Sequence, residues 1–268
     1  MSASGRCIGP NPTHLPPITQ QVINVYRCAI VDEPHKRAEI LSRTPEFMAH
    51  EASKPFGWSP AHFVEWATVE HMLEAVGLPT GSSIIDIGCG SGWTSLFLAE
   101  AGYQVVGYDL VPANVELAQK RAERWSSSAR FEVADMEALP SGDGADAALL
   151  FDSLHHTERQ RETLRSVAGR LRSGGWLLLG EASWLHRFSG EARAVRRERG
   201  WLERGISLAG LRRDLQAAGF GDIRRFFQPT RPYENRVGGF AWQLMRLSAA
   251  NAWVAPQSHL WLAARRIR

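Results

Sequence analysis

Cysteine is scarce in this chain. Its 268 residues include only Cys7, Cys28 and Cys89. With no C-x-x-C pair and no Cys/His ligand spacing, a disulfide framework and a structural zinc site are both excluded. Such usage fits a reducing compartment, and a cytoplasmic location is expected. Long apolar runs are also missing: nothing approaches the ~20 residues that span a bilayer. Met1 to Gln20 holds one arginine and no apolar core, so no signal peptide is expected. Neither sign of charge prevails. A formal net charge of +3 gives no general field for nucleic acid. Tryptophan is the exception to this sparseness: ten of them imply aromatic walls in a core or a pocket. At 44% apolar and 22% charged, the chain has an ordinary globular composition, long enough for one good-sized core with elaborations.

Residues 1–20 carry four prolines and little periodicity, and read as an extended arm. A helical region is expected over about 20–50, interrupted near Pro34 and Pro45. Ser59-Pro60 then reads as a helix start, with Phe63, Trp66, Leu73 and Val76 on one face and Gly77 at the end. From there strands and helices alternate, as in a mostly parallel sheet covered on both faces. Strands are expected at Ser83 to Ile87, Gln104 to Tyr108, Phe131 to Ala134, Ala145 to Phe151 and Trp176 to Gly180. The alternation slackens afterwards. Residues 184–206 look helical but irregular, Ser207 caps a helix to Ala218, and Ile223 to Phe227 reads as a sixth strand. A helix over 238–253 and a last strand from Ser258 to Ala263 complete the pattern.

The decisive segment is Ile84-Ile85-Asp86-Ile87-Gly88-Cys89-Gly90-Ser91-Gly92-Trp93. A buried strand runs into three alternating glycines, where backbone turns tightly and approaches a ligand without a Cβ in the way. A dinucleotide fingerprint requires G-x-G-x-x-G. Here Trp93 stands in place of the third of those glycines, which argues against a nicotinamide-dependent oxidoreductase. Asp86, beside the turn, repels a diphosphate and suits a cationic amine. The loop therefore fits a nucleoside with a charged amino-acid tail. Asp109, just after the second strand, is placed to accept bonds from ribose hydroxyls. Asp135 and Met136, after the third strand, offer an acceptor for an adenine amino group and an apolar face for its ring.

Five segments, Asp-Ile-Gly-Cys-Gly-Ser-Gly, Tyr-Asp-Leu, Ala-Asp-Met-Glu-Ala-Leu-Pro, Phe-Asp-Ser-Leu-His-His and Leu-Arg-Ser-Gly-Gly-Trp-Leu-Leu-Leu-Gly, resemble the successive motifs of class I S-adenosylmethionine-dependent methyltransferases. They follow the family's order across about 80–181, and the nearest subgroup is the ubiquinone-biosynthesis-type, methyltransferase domain 11-like, small-molecule enzymes. The resemblance implies an α/β, doubly wound, Rossmann-like seven-stranded sheet of order 3-2-1-4-5-7-6 with its last strand antiparallel. Helices precede it, and a helical insertion follows strand five. It implies S-adenosyl-L-methionine as cofactor: Asp86, Gly88, Cys89 and Gly90 at the methionine part, Asp109 and Leu110 at ribose and adenine, Asp135 and Met136 at adenine. Phe151 and Asp152, at the end of strand four, line the site. Residues 1–55 are an arm and helical cap, and 56–268 the methyltransferase domain, with substrate-side insertions in 184–256. These flanks match no named pattern, so the acceptor stays open.

His155 and His156 follow strand four at the carboxyl edge, where ligands bind. They are the catalytic candidates, as a general base or as a pair that orients the acceptor. Helix capping or core packing is the plainer reading. No metal is expected, although Asp152 or Glu181 could supply a third ligand. Trp184, Arg187, Arg231 and Tyr233 are candidates for the substrate side. The run Arg187, Arg193, Arg196, Arg197, Arg199 and Arg204, interleaved with Glu191, Glu198 and Glu203, reads as an anion-recognising face or as a solvated lid helix stitched by ion pairs. Phe56 and Trp58 read as a cover over the cofactor or as a helix-start staple. The sequence at the end of strand four is not the Asn/Asp-Pro-Pro-Tyr run expected of a DNA amino-methylating enzyme, and no basic aromatic patch suits RNA. The expected partner is a small-molecule acceptor, with no nucleic acid, no membrane span, and a monomer or homodimer both open. Methyl transfer to a small or medium-sized metabolite, at oxygen, is the expected function. The alternatives are a sugar or glycolipid acceptor, an aromatic or polyketide one, and a catalytically silent cofactor-binding subunit.

Overall fold

In the computed structural model, residues 33–57, 61–227 and 259–267 are described. Two short helices, α1 (Pro34–Leu41) and α2 (Pro45–Ser53), come first, followed by α3 (Ala61–Val76). Pro34 and Pro45 open α1 and α2 rather than interrupting a longer helix. Proline's fixed φ suits the first turn, and its missing N–H is one that has no partner there. Thr44 caps α2 by accepting a bond from the Phe47 amide at 3.2 Å. The Ser59-Pro60 cap expected for α3 lies outside the described residues. α3 turns Thr68, Val69, Met72 and Leu73 inward. Phe63, expected on that face, is largely exposed and meets the Phe56 ring at 5.7 Å instead.

The sheet is built from β1 (Ser83–Ile87), β2 (Gln104–Asp109), β3 (Arg130–Val133), β4 (Ala145–Phe151), β5 (Leu171–Ala182), β6 (Phe220–Phe226) and β7 (His259–Arg266). Its order is β3-β2-β1-β4-β5-β7-β6. β1 to β5 run parallel, and β7 is antiparallel to both β5 and β6. This is the expected topology. Connecting helices are α4 (Trp93–Glu100), α5 (Pro112–Trp125), α6 (Gln160–Arg170), α7 (Gly190–Arg199) and α8 (Leu208–Ala217). Ser189 and Ser207 cap α7 and α8 by accepting from the Ala192 and Gly210 amides, and Gly200 ends α7 in the left-handed region. The helix expected at 238–253 lies outside the described residues.

Successive strand residues point to opposite faces, so continuous apolar strands feed two cores. Ile85, Ile87, Leu150, Leu177, Leu179 and Leu262 pack beneath α6 and α8, against Leu164, Val167, Leu211 and Leu215. Ile84, Val105, Leu149, Leu178 and Trp261 pack on the other face, against α3, α4 and α5. Both faces being covered explains why these strands read as unbroken apolar runs. It also leaves the carboxyl ends of β1, β2, β4 and β5 as the edge where polar groups can gather.

Candidate active site

That edge opens into a cavity of about 860 Å³. One side is made by the glycine turn. Gly88, Gly90 and Gly92 all take positive φ, at 72°, 53° and 76°. Gly88 must be glycine for space as well, because a Cβ there would stand 2.4 Å from the Ser153 Cβ. A Cβ on Gly90 would meet nothing within 4 Å. It would project into free space at the cavity wall, which makes the turn a cradle that a side chain would fill.

Asp109 is buried and lines the cavity. Its Oδ2 accepts from the Gly90 amide at 2.8 Å, and its Oδ1 accepts from the Val111 amide at 2.8 Å and from Asn114 at 3.1 Å. Burial raises its pKa, and these amide bonds oppose the rise. Cys89, Leu110, Met136, Phe151 and Asp152 also line the cavity. Cys89 is a buried free thiol with its pKa pushed well up by burial, so it fills the loop as a small apolar residue. Phe151 stacks on Trp261 at 5.8 Å and meets the edge of Trp93 at 5.8 Å.

One cofactor expectation is modified. Asp86 does not line the cavity: its carboxylate points behind the turn and accepts from Thr94 and Ser95 hydroxyls at 2.6 Å each. Burial pushes its pKa up to about 6. Asp86 therefore ties the glycine turn to the start of α4 and is not at the wall where an amine would sit. Asp135 does line the cavity, with each oxygen held by a donor, as the Asp109 oxygens are. Oδ1 accepts from the Glu137 amide at 2.9 Å, and Oδ2 takes the Lys36 ammonium at 2.7 Å. Lys36, buried on α1, also pairs with Glu137 at 2.8 Å.

The other side of the cavity is a floor of imidazoles and carboxylates. His155 and His156 sit in a single 3-10 turn, Leu154–His156. Glu181, wholly buried near the end of β5, accepts from the Ser153 and Leu154 amides at 3.0 and 2.8 Å and faces His155 Nδ1 at 3.0 Å. His155 Nε2 lies 3.5 Å from Glu203 Oε2. Burial alone would lower the His155 pKa, but Glu181, Asp152 and Glu203 together raise it to about 9. His156 Nδ1 faces the Leu202 carbonyl at 2.8 Å, and His186 Nε2 faces Glu203 at 2.8 Å. His155, His156, His186, Glu203 and His259 all line the cavity. Glu203, His186 and His259 were not among the expected site residues. They reach the floor from distant segments of irregular spacing, and only the acidic punctuation of the arginine run hinted at Glu203.

A roof is formed by the N-terminal helices and the stretch after β5. Arg43 lies over the rings of Phe47 and Trp201, at 4.8 and 4.2 Å, and its Nε and Nη1 are buried without a hydrogen-bond partner. Trp201 Nε1 donates to Ser42 at 2.6 Å, tying this roof together. Of the arginine run, Arg199 lines the cavity. Arg196 and Arg204 donate to backbone carbonyls, and Arg197 pairs with Glu198. Those three arginines are thus held by contacts within the chain, away from the cavity.

Two residues expected on the substrate side, and one read as a cofactor cover or a staple, lie away from the cavity. Trp184 and Arg187 are exposed and do not line the cavity: Trp184 meets Phe188 edge-on, and the Arg187 guanidinium lies over the same ring. Phe56 does not cover the cavity but packs on Phe63, Phe97 and Trp125, which is the staple reading. Arg231, Tyr233 and Trp58 lie outside the described residues.

Residues 85–179 match a family model described as a methyltransferase domain. The matched segment is the one where the motifs lie, about a third of the chain, and it is similar to a methyltransferase domain. Among curated relatives, it is 30% identical over 122 residues to the ubiquinone biosynthesis O-methyltransferase of Xanthomonas campestris pv. campestris, covering 45% of this chain and 51% of the relative. It is 30% identical over 118 residues to the S-adenosyl-L-methionine-dependent Diels-Alderase iccD of Talaromyces variabilis, covering 42% and 40%. The chain thus spans about half, or less, of the length of these relatives. The phosphoethanolamine N-methyltransferase 2 of Haemonchus contortus, solved with S-adenosyl-L-methionine, shares the fold with a TM-score of 0.63 at 18% identity, covering 88% of this chain and 60% of that one. Among the described residues, no helix is long and apolar enough to cross a membrane.

Proposed function

We propose that the chain transfers the methyl group of S-adenosylmethionine to an oxygen of a small or medium-sized metabolite. The carrying observation is one cavity with two unlike walls: a glycine cradle beside Asp109, and a histidine floor across from it. The residues present fit the cofactor. Gly90 leaves its cradle free of a Cβ, Asp109 is fixed by three donors, and Leu110, Met136 and Phe151 supply apolar wall. The match to a ubiquinone biosynthesis O-methyltransferase supports oxygen as the acceptor atom.

When bound, the cofactor supplies an electrophilic methyl on a sulfonium. An acceptor oxygen held in line with that methyl would form the new C–O bond as the S–C bond breaks, its electron pair staying on sulfur. The chain's main task is positioning, which can contribute as much as ~7–11 kcal/mol in well-oriented reactions. Of the two histidines, His156 is the better candidate to take the acceptor's proton. Its Nδ1 faces the Leu202 carbonyl, which leaves Nε2 as the lone-pair nitrogen. Both nitrogens of His155 face carboxylates, so His155 fixes the floor.

Isothermal titration of S-adenosylmethionine and S-adenosylhomocysteine tests this reading, with Asp109→Ala alongside and NADH as control. Micromolar binding of both, weakened at least tenfold in the variant, is expected. A response to NADH alone, or no binding of either, overturns the proposal. A second reading, cofactor held without transfer, draws on the match to a Diels-Alderase. Formation of S-adenosylhomocysteine in an acceptor screen decides against it.

A further inference from the structure

Glu203 is the feature of the histidine floor that methyl transfer alone leaves unexplained. It is buried at 8% exposure, three imidazoles surround it, and it comes from a segment with no motif. One nitrogen each of His155 and His156 and an oxygen of Glu203 lie within 4.8 Å of one another. His155 Nε2 stands 3.5 Å from Glu203 Oε2, long for a hydrogen bond. Two ligands ~2.1 Å from an ion at a tetrahedral angle stand about 3.4 Å apart. We propose that His155, His156 and Glu203 form a binding site for a divalent transition-metal ion at the floor of the cavity.

The surroundings of the three groups support this assignment. A metal-binding imidazole needs its other nitrogen held by an acceptor, which fixes tautomer and ring orientation. Glu181 holds Nδ1 of His155 and the Leu202 carbonyl faces Nδ1 of His156; an ion would take Nε2 of His155 in place of the proton shared with Glu203, and His156 comes within 3.8 Å of Glu203 through Nδ1. His186 holds the Glu203 carboxylate at 2.8 Å. Asp152, Glu181 and Glu203 gather negative charge around the spot. Two imidazoles and one carboxylate favour Zn²⁺, Co²⁺, Fe²⁺ or Mn²⁺ over Ca²⁺. All three residues line the cavity, so the remaining coordination positions face the space where an acceptor would bind. Asp152 and Glu181, the third ligands that the sequence offered, stand at the edge of the set and behind His155.

The ion's role in turnover rests on the methyl-transfer reading, whereas the site itself does not. With the ion bound, His156 is a ligand and no longer a base. The acceptor hydroxyl takes an open position, its pKa falls, and its proton leaves to solvent. The resulting oxygen anion forms the C–O bond as the S–C electron pair passes to sulfur.

The test uses the full chain, stripped with a chelator and titrated with Co²⁺ by visible absorption and with Zn²⁺ by calorimetry. Binding should give the ligand-field bands of a nitrogen-ligated Co²⁺ site. Affinity should fall about 100-fold or more in both His156→Ala and Glu203→Gln; the second keeps an acceptor for His186. His71→Ala, an exposed histidine on α3, should bind as the wild type does. No binding at millimolar Co²⁺ and Zn²⁺, or unchanged affinity in both ligand variants, overturns the site. S-adenosylhomocysteine binding, measured in chelator on the same samples, reports separately on the cofactor reading. Its loss with metal binding intact removes the methyltransferase proposal and leaves the metal site standing.

Discussion

The two walls of the cavity are assembled by opposite strategies. On the glycine side, every hydrogen-bond partner of Asp109 comes from the turn after β1 or from the start of α5: Gly90, Val111 and Asn114. On the acceptor side, His155 depends on Glu181 from the next strand, and His156 on Leu202 from beyond α7. Glu203 arrives from the same distant stretch. A wall built locally writes itself into a short motif. A wall built by long connections leaves only scattered polar residues.

Gly88→Ala should have the largest effect, because it touches both walls. The added Cβ meets Ser153 at 2.4 Å in a left-handed backbone, which joins the cradle to the turn that carries the histidines. Stability should fall by about 2–4 kcal/mol, read by denaturant unfolding, with S-adenosylhomocysteine binding lost. Gly90→Ala, with open space around its Cβ but a positive φ, should lose only about 1–2 kcal/mol yet lose the ligand. Equal stability of the two variants would contradict this division.

Asp86 sharpens the cofactor side through pH. Burial raises its pKa from 3.8 to about 6, so the folded state holds that proton more tightly than the unfolded chain. Its contribution is fully present below the unfolded value and is lost as pH rises through the folded one. Wild type should therefore lose up to about 3 kcal/mol relative to Asp86→Asn between roughly pH 4 and 6. Parallel stability curves across that window would be the contrary result.

Glu181→Gln probes the acceptor wall. It weakens the acceptor shared by two buried amides and His155, at a cost of about 1–3 kcal/mol. Cofactor affinity should stay within about threefold while methyl transfer falls, because the damage stays on one side. The smallest effect belongs to Arg187→Ala. This residue is exposed and away from the cavity, so stability should hold within ~0.5 kcal/mol and turnover should stay unchanged.

The sheet was readable from the sequence because its signals are local and periodic. β1 and β4 have the expected limits, and the strand order is the one implied by the motifs. Asp109, Gly88, Gly90, Leu110, Met136 and Phe151 meet at one cavity for the same reason. Other features follow from tertiary contacts that no spacing records. Asp86 turns toward Thr94 and Ser95, whose hydroxyls at the start of α4 donate to it at 2.6 Å. Lys36 reached Asp135 across a sequence separation of 99 residues. Trp184 and Arg187 follow the end of β5, as a substrate residue should, but the chain there turns them outward. Only geometry placed Glu203 and His186 beside the two histidines.

β7 occupies the interior of the sheet, between β5 and β6, although it follows both in sequence. Its Trp261 braces Phe151, and its His259 reaches the cavity. A ribosome must therefore release these residues before the floor can close. Until then β5 and β6 each present an unpaired edge, open to a wrong strand from another chain. The sheet acts as a check on its own synthesis, since a chain cut short of His259 lacks the strand that completes it.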